Sequence, residues 1–588
     1  TPHLLQNTVS IIVIQTFFFW MFHTYSGVLR YSSFVDAIKL LFSVVATVLL
    51  LIIVNWIFIE FYGTTFYFLS TLLMYGVFCF LMLFFLRLGV KTVYDYFADG
   101  YGKITPVMIY GTKSSGVGMA KILQSSTDEK YKLVGFIDDD KNLTQRQIMG
   151  VKVYFLNQQN IKKIISKKAK AIIISPVKMK EINPEIDLDI FLNNGLSILT
   201  FPHVSEWNGE NPNFEQIKSV QIEDLLERPE ISISCENIAA SLHGKIVLVT
   251  GAAGSIGSEI ARQVIRFQPQ LVVLLDQAES PMHTLKLEFE EKFPNQNFAI
   301  FLGDIRNKNR MEYMFDLYHP DFVYHAAAYK HVPMMEDNPV ESTLVNVMGT
   351  KIMADLAVQF AVQRFVMIST DKAVNPTNVM GASKRIAEIY VQSLYRKLAK
   401  EINGAATKFI TTRFGNVLGS NGSVIPLFKS QIENGGPVTV THPEIIRYFM
   451  TIPEACTLVL EAGAMGVGGE IYIFDMGSPV KIVNLARKMI RLAGLRPDID
   501  IKIEYTGLRP GEKLYEELLN KKEKTIVTHN AKIMIAKVEE QEYETVAAQI
   551  DELIRYGTLC KDYLTVSQMK KIVPEFKSKN SQYERLDV

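Results

Sequence analysis

Thr370, Asp371 and Lys372 put a hydroxyl, a carboxylate and an amine in succession. Together they supply a proton relay, an acid and a base, the set needed to remove water next to a carbonyl. The preceding run Phe365–Ser369 is short, apolar and partly β-branched, the pattern of a buried strand. Ligands of open α/β sheets bind beyond the carboxyl ends of the strands, so catalysis is expected here. Lys372 is the candidate base. To serve near neutral pH its pKa must fall well below the reference of about 10.4, through partial burial or a cationic neighbour; otherwise it is a fixed charge pairing with Asp371. Downstream, Met380-Gly-Ala-Ser383-Lys384 opens a helix whose pitch puts residues 380 and 384 on one face.

The elements that must position this set begin with a strand at Lys245–Val249, the turn Thr250-Gly251-Ala252-Ala253-Gly254-Ser255-Ile256-Gly257 and a helix over Ser258–Arg266. Glycines at such a turn allow a tight bend, close approach of a pyrophosphate and close helix–strand packing. A second strand, Leu271–Leu275, ends in Asp276. An acid about 20 residues past the turn hydrogen-bonds a ribose 2′-hydroxyl and repels a 2′-phosphate, which favours NAD over NADP; its plainer role is to cap the next helix. A third strand ends in Gly303-Asp304-Ile305, placing a carboxylate where an adenine amine could be read. A fourth, Phe322–His325, runs into Ala326-Ala327-Ala328, small enough for a cofactor to lie along the backbone.

Beyond that strand, Lys330 and His331, followed by Glu336 and Asn338, could contact a substrate phosphate or acetamido group, or form a solvated loop. Arg447, in Arg-Tyr-Phe-Met-Thr451, could reach a diphosphate or make a surface ion pair.

The chain of 588 residues exceeds a single core, and domain sizes suggest about three or four modules. Lys and Arg total 62 against 61 acids, so no global basic field draws the chain to nucleic acid. Cys79, Cys235, Cys456 and Cys560 lie far apart without metal-type spacing, which fits a reducing compartment, structural roles and no metal site. Val9–Phe22, Ala37–Phe58 and Thr64–Phe85 are apolar and almost free of charge. The last two are long enough to span a bilayer, which takes about 20 residues. Arg30 and Lys39 lie between the first and second stretches, Glu60–Thr65 carries no Lys or Arg, and Arg87 and Lys91 follow the third. The positive-inside rule therefore puts everything after Arg87 in the cytoplasm. The first stretch is shorter and the chain begins at Thr1, so loss of an initial segment is expected.

From about Lys103 the sequence alternates short β-branched runs with amphipathic helices, the signal of parallel α/β structure, and does so twice. The first module, 101–205, opens with Val107–Tyr110, the turn Gly111-Thr-Lys-Ser-Ser-Gly116-Val-Gly118 and a helix through Leu123, with strands at Leu133–Ile137, Val151–Phe155, Ala171–Ser175 and Ile198–Phe201. Its turn either approaches a phosphate or serves tight packing. The polar loop Glu206–Phe214 and a short helix at Ile222–Pro229 mark a linker over 206–235. The second module, 236–588, holds the dinucleotide site in 244–415 and a substrate part largely in 416–588. The expected fold is α/β: transmembrane helices in 1–100, then two Rossmann-like doubly wound parallel-sheet domains, the second with a smaller C-terminal substrate-binding part.

Together the glycine turn, Asp304, His325-Ala-Ala-Ala, Ser369-Thr-Asp-Lys-Ala373, Lys384, Arg413-Phe-Gly-Asn416-Val-Leu-Gly419 and Gly507-Leu-Arg509-Pro-Gly511-Glu512-Lys513-Leu514 resemble extended short-chain dehydrogenases/reductases. More narrowly, they resemble the large membrane-bound polysaccharide-biosynthesis dehydratases of capsule, O-antigen and diacetylbacillosamine pathways. The resemblance covers essentially the whole chain, including Gly135-Phe-Ile-Asp-Asp-Asp140 in the first module; members usually have four spans, and three are visible.

The resemblance implies an NAD cofactor, a UDP-N-acetylhexosamine substrate, a homo-oligomer and a multi-pass location in the bacterial inner membrane with the catalytic part in the cytoplasm. The implied activity is UDP-N-acetylglucosamine 4,6-dehydration with retention at C5. Met380 stands where the wider superfamily has the tyrosine of Tyr-x-x-x-Lys, as in the membrane subgroup. Methionine cannot act as a base, so the proton work moves to Thr370, Asp371 and Lys372. By the same resemblance Lys384 holds the nicotinamide ribose, and Asn416, Arg509 and Glu512 hold substrate, the last two at the uridine ribose and pyrophosphate. Lys372 would take the C5 proton and Asp371 protonate the departing C6 hydroxyl. A 4-epimerase shares cofactor and fold but needs no acid–base pair at C5 and C6. A membrane sugar-phosphate transferase lacks the second glycine turn, and a nucleotide-sensing scaffold would bind NAD without turnover.

Overall fold

The computed structural model describes residues 4–22, 24, 34–63, 65, 67–98, 105–125, 131–143, 146–156, 169–174, 178, 189–192, 194–200, 218–219, 236–401, 407–517, 524–537 and 540–587. The loop and helix expected at Glu206–Phe214 and Ile222–Pro229 lie outside the described residues. Contacts divide the chain into two units, one of Thr1–Leu156, Lys163–Ala171 and Trp207–Gln216, the other of Asn157–Lys162, Ile172–Glu206 and Ile217–Val588.

In the first unit the apolar stretches form α1 (Leu4–Met21), α2 (Phe34–Tyr62) and α3 (Leu69–Ala98). Ala37–Tyr62 and Leu69–Arg87 are long and apolar enough to cross a membrane, whereas Thr8–Met21 is shorter. Large apolar side chains such as Trp56, Phe78 and Met82 are exposed on the outside. Inside, polar groups find protein partners: Tyr67 N donates to Asn55 Oδ1 at 2.8 Å, Tyr75 OH to Gln15 Oε1 at 3.2 Å and Arg87 Nη2 to Thr24 O at 2.7 Å. Lipid offers no hydrogen bonds, so this arrangement suits a bilayer. After the helices, β1 (Thr105–Tyr110) pairs in parallel with β2 (Tyr131–Asp138) and β2 with β4 (Val151–Phe155), while β3 (Gln147–Ile148) is antiparallel to β4. α4 (Ser114–Ser125) follows β1, and Asp138 at the end of β2 accepts from Thr112 N at 2.9 Å.

The second unit contains β5 (Ala171–Ile174) from Ile172 on, β6 (Ser197–Thr200) and β7 (Lys218–Ser219), the last two antiparallel. Its main sheet is built from β8 (Ile246–Thr250), β9 (Leu271–Asp276), β10 (Phe298–Leu302), β11 (Phe322–His325), β12 (Arg364–Thr370), β13 (Lys408–Phe414), β14 (Glu470–Phe474), β15 (Lys524–Val527) and β16 (Ile533–Lys537). The order is β10-β9-β8-β11-β12-β13-β14-β16-β15. Strands β8 to β14 of this sheet pair in parallel; β16 is antiparallel to β14 and β15 to β16. The strand order reverses between β8 and β11, the crevice where doubly wound sheets bind ligands.

Alternate residues of β8 enter opposite cores. Leu248 packs with Tyr390 and Val546 on one face, Val247 and Val249 with Ile260 of α5 (Ser255–Val264) on the other. This is the period of two of a strand buried on both faces. α5 starts at Ser255, three residues before the expected helix, because Gly254 takes the extended capping position. The parallel sheet expected from the sequence carries an antiparallel edge: β16 returns against β14, and β15 against β16.

The substrate part hangs from short pairings. Asn416–Val417 pairs in parallel with Phe449–Met450, Val438–Val440 with Ile503–Tyr505, and Ile446–Arg447 runs antiparallel to Val480–Lys481. These ladders fix Asn416 and Arg447 as parts of strands.

Candidate active site

The turn after β8 can be made only with glycine at two of its positions. Gly251 has φ of +66°, and a Cβ there would lie 2.7 Å from Ala327 N and 2.8 Å from the Ala326 carbonyl carbon. A Cβ on Gly257 would lie 2.1 Å from Gly251 O, so α5 packs on the turn without room for a methyl. Asp276 is fixed at the turn: its Oδ2 accepts from Ala253 N at 3.0 Å and its Oδ1 from Ala278 N, the residue before the next helix, at 3.0 Å.

Behind the turn, Thr250 Oγ1 accepts from Ala327 N at 3.2 Å and meets His325 Nδ1 at 2.9 Å. His325 Nε2 meets Thr350 Oγ1 at 3.0 Å, and that hydroxyl donates to Asn346 O. The network therefore puts the imidazole proton on Nε2. Burial, with the Lys384 charge added, pushes His325 down to about 3, so the ring is neutral.

Asp304 is held by Arg306. Its Oδ1 accepts from Arg306 N at 2.9 Å and its Oδ2 from Arg306 Nε at 2.8 Å. Arg306 also pairs with Glu341 at 2.9 Å. Both carboxylate oxygens are engaged by a neighbour the motif did not single out, and Ile305 is buried against Gly349.

At the end of β12 the three expected catalytic groups converge on one atom. Asp371 Oδ1 accepts from Thr370 Oγ1 at 2.8 Å and from Lys372 Nζ at 3.0 Å. Lys372 Nζ also donates to Asn416 Oδ1 at 3.1 Å and lies 3.9 Å from Glu516 Oε1. The depressed pKa required of Lys372 is not met in this arrangement. Burial works to lower it, but the carboxylates of Asp371 and Glu516 outweigh burial and hold the amine above its ordinary value. A further departure concerns Asp371, which is 1% exposed and lies behind the cavity wall, while Thr370 and Lys372 form part of that wall.

α6 (Val379–Glu401) carries Met380 and Lys384 one turn apart, both buried and both lining the cavity. Burial, partly offset by Glu388, lowers Lys384 to about 8. Glu388, a turn further on, is an anchor that motif reading missed. It accepts from Ser369 Oγ at 2.6 Å, from Arg413 Nε at 2.8 Å and Nη2 at 2.6 Å, and from Arg385 Nη1 at 3.1 Å. The carboxylate thus ties β12, β13 and α6 together directly beneath Thr370. The signal available was that Glu388 is the helix's only acid before its last residue, one turn after Lys384 and Arg385. Asn346 is a second missed residue: its side chain bonds both Tyr329 N and O and reaches Ser383 Oγ, fixing the loop after β11 against α6.

Glu336 is neither a substrate contact nor part of a solvated loop. It is buried, with Oε1 accepting from Val379 N at 2.7 Å and Oε2 from Ser581 Oγ at 2.6 Å, so it holds the first turn of α6. Thr377 Oγ1 and Asn378 Nδ2 both donate to Gly511 O, which ties the same turn to the segment bearing Arg509 and Glu512.

A cavity of about 820 Å³ joins these parts. Gly254, Ser255, Ile256 and Ala326 line its dinucleotide side; Thr370, Lys372, Met380 and Lys384 its middle. Lys330, Asn416, Arg447, Arg509 and Glu512 line the remainder. Gly251, Ala253, Gly257, Asp276, Asp304, Ile305, Ala327 and Asp371 stand outside the lining and act, where they act, by shaping or supporting it. Arg447 is not a surface residue: it is 8% exposed, with Nη2 3.4 Å from Glu512 Oε1 and Nε 3.8 Å from Glu516 Oε1. Burial lowers the pKa of Lys330 and, with Lys330 beside it, of His331, which also lines the cavity.

Fold and site define a doubly wound α/β protein with a dinucleotide-type turn opening into a second, polar binding region. Residues 247–538 match the family described as polysaccharide biosynthesis protein. The capsular polysaccharide biosynthesis protein CapD of Staphylococcus aureus is 41% identical over 536 residues, covering 88% of this chain and 85% of its own. The chain belongs to this family of polysaccharide biosynthesis proteins. A UDP-N-acetylglucosamine 4,6-dehydratase (inverting) of Campylobacter jejuni is 34% identical over 281 residues, 47% of this chain and 78% of its own. A UDP-glucose 4-epimerase of Rickettsia massiliae is 32% identical over 285 residues, 47% of this chain and 79% of its own.

Proposed function

We propose that the chain is a membrane-anchored, NAD-dependent UDP-N-acetylglucosamine 4,6-dehydratase, giving UDP-2-acetamido-2,6-dideoxy-hexos-4-ulose with retention at C5. The observation that carries this reading is the convergence of Thr370 and Lys372 on Asp371 in the wall of a cavity that also holds the glycine turn, Lys384 and Arg447. The turn fits a dinucleotide: Gly251 and Gly257 let it close tightly on the Ala326–Ala327 backbone and on α5, Gly254 lines the cavity, and Lys384 sets a buried amine in the same wall. NAD bound there would accept hydride from C4 and return it to C6.

The chain's own residues do the acid–base work. A ketone at C4 of the sugar acidifies the C5 hydrogen, and Lys372 is the base for it. Passing one proton from Lys372 to Asp371 across their 3.0 Å hydrogen bond gives a neutral amine and a carboxylic acid, the two forms elimination needs. Asp371, behind the wall, hands its proton through Thr370 Oγ1 to the departing C6 oxygen. Lys372 then carries the C5 proton and water has left, so the protons balance. Arg447, Arg509 and Glu512 hold the uridine diphosphate, with Lys330 and Asn416 nearer the sugar.

A 4-epimerase is the second reading, favoured by the likeness to the Rickettsia massiliae protein. It leaves the Asp371–Lys372 pair without a task at C5 and C6. Incubating the detergent-purified chain with UDP-N-acetylglucosamine separates the two: loss of one water supports dehydration, and an isomer of unchanged mass overturns it. α2 and α3 support membrane anchoring, and the placement of Arg87 and Lys91 supports a cytoplasmic site in a bacterial inner membrane.

A further inference from the structure

Glu516 has no assigned task, yet it stands between the two ends of the site. It is 8% exposed. Its Oε1 lies 3.9 Å from Lys372 Nζ and 3.8 Å from Arg447 Nε, and its Oε2 is buried without a hydrogen-bond partner. A buried carboxylate is normally kept ionised by hydrogen bonds from several donors. Here no hydrogen bond does so, and the nearest charges are two cations at almost equal distance. One of them, Lys372, is already bonded to Asp371; the other, Arg447, lines the cavity and also faces Glu512. The remaining charged group acting on Glu516 is Lys513, whose Nζ donates to Val374 O. Burial raises the Glu516 carboxyl above its ordinary range, Asp371 adds to the rise, and Lys372, Arg447 and Lys513 oppose it.

We propose that Glu516 is a positioning residue that takes up a proton when a diphosphate occupies Arg447, and so frees Lys372 from its second carboxylate. This rests on Arg447 meeting the diphosphate in the reading above. With the Arg447 charge neutralised by phosphate, one of the cations that favour the carboxylate form of Glu516 is lost, and the carboxylate takes one proton from solvent. Lys372 then faces only Asp371, and a proton can pass between that pair to give amine and acid. Empty of substrate, the site keeps Lys372 as an ammonium and its reactivity suppressed.

The test is calorimetric titration of the full chain in detergent with UDP-xylose, in buffers of differing ionisation enthalpy. Its diphosphate has the charge of the substrate's, and its sugar has no C6 hydroxyl to lose. The wild-type chain is expected to take up about one proton per UDP-xylose bound, so its affinity falls about tenfold per pH unit above the pKa of free Glu516. Glu516→Gln removes the uptake and flattens the pH dependence; Glu516→Asp retains both. Binding by the wild-type chain with no proton uptake overturns the proposal without recourse to any variant, as does the same uptake in Glu516→Gln. Because UDP-xylose cannot be dehydrated, this result is independent of whether UDP-N-acetylglucosamine loses water, which tests the dehydratase reading itself.

Discussion

Lys372 and Asp371 are adjacent in sequence, yet their side chains close on each other, Nζ to Oδ1 at 3.0 Å, at the one point where β12 opens into the cavity. A base and an acid that share one proton in this way are inactive as an ion pair and competent as a neutral pair. Lys372→Met is expected to lower dehydration by about 10² to 10⁴-fold, the usual contribution of a general base, with the KM for UDP-N-acetylglucosamine changed far less. Steady-state kinetics of the purified variant decide it; activity within threefold of wild type would remove Lys372 from the chemistry.

Lys384 is expected to give cofactor binding a pH dependence. Its amine titrates near 8 because burial outweighs the attraction of Glu388. It is charged below that value and neutral above it, so any hydrogen bonding of the ammonium to the nicotinamide ribose is lost as pH rises through about 8. The Kd for NAD is expected to rise between pH 7 and 9, and Lys384→Met to bind about 10-fold or more weakly with no such step, in line with about 1.5–3 kcal/mol for a charged hydrogen bond. A wild-type Kd independent of pH over this range would assign Lys384 a purely structural place.

Arg413 and Glu388 form a buried anchor, Nη2 to Oε2 at 2.6 Å with both side chains almost wholly inaccessible. Removing one partner of such a pair strands the other charge, at a cost of about 3–5 kcal/mol. Arg413→Met is therefore expected to lower stability by about that amount in denaturant titrations. Glu388 is held near 2, below its ordinary 4.5, by Arg413 and Arg385 against burial. A depressed carboxyl contributes its stability above the unfolded value, so this contribution is complete above about pH 4.5 and is lost as pH falls towards 2. An unchanged acid-unfolding midpoint in Arg413→Met would contradict this.

Gly251→Ala brings a Cβ within 2.8 Å of the backbone of Ala326 and Ala327 at a residue whose φ is +66°. The turn must shift, and NAD affinity is expected to drop by more than tenfold while α2 and α3 still carry the chain into the membrane fraction. Calorimetry with NAD checks it, and wild-type affinity would mean that the turn is not the cofactor's seat.

Much of this was legible in the chain. Period-two burial of Leu248 against Val247 and Val249 follows from a strand apolar throughout, and the pairing of Asp276 with the glycine turn follows from where β9 ends. Residues whose role depends on long-range closure were not legible. Glu388, Asn346, Arg306 and Glu516 carry no motif of their own; each matters because β12, β13, the loop after β11 or the segment after Arg509 folds onto it. Glu336 misled for the same reason: sequence placed it near the site, and Val379 and Ser581, far along the chain, took its oxygens. The direction of the Lys372 shift could not be read either, since burial alone lowers an amine, and the carboxylates that outweigh it are Asp371 beside it and Glu516 far along the chain.

The most direct measurement follows UDP-N-acetylglucosamine deuterated at C4 through the full chain in detergent, by mass spectrometry and proton NMR. Dehydration predicts a product lighter by one water, with the deuterium on C6 and the C5 configuration retained. Deuterium still on C4 of an inverted sugar of unchanged mass would contradict the account and leave Lys372 and Asp371 without the roles given to them.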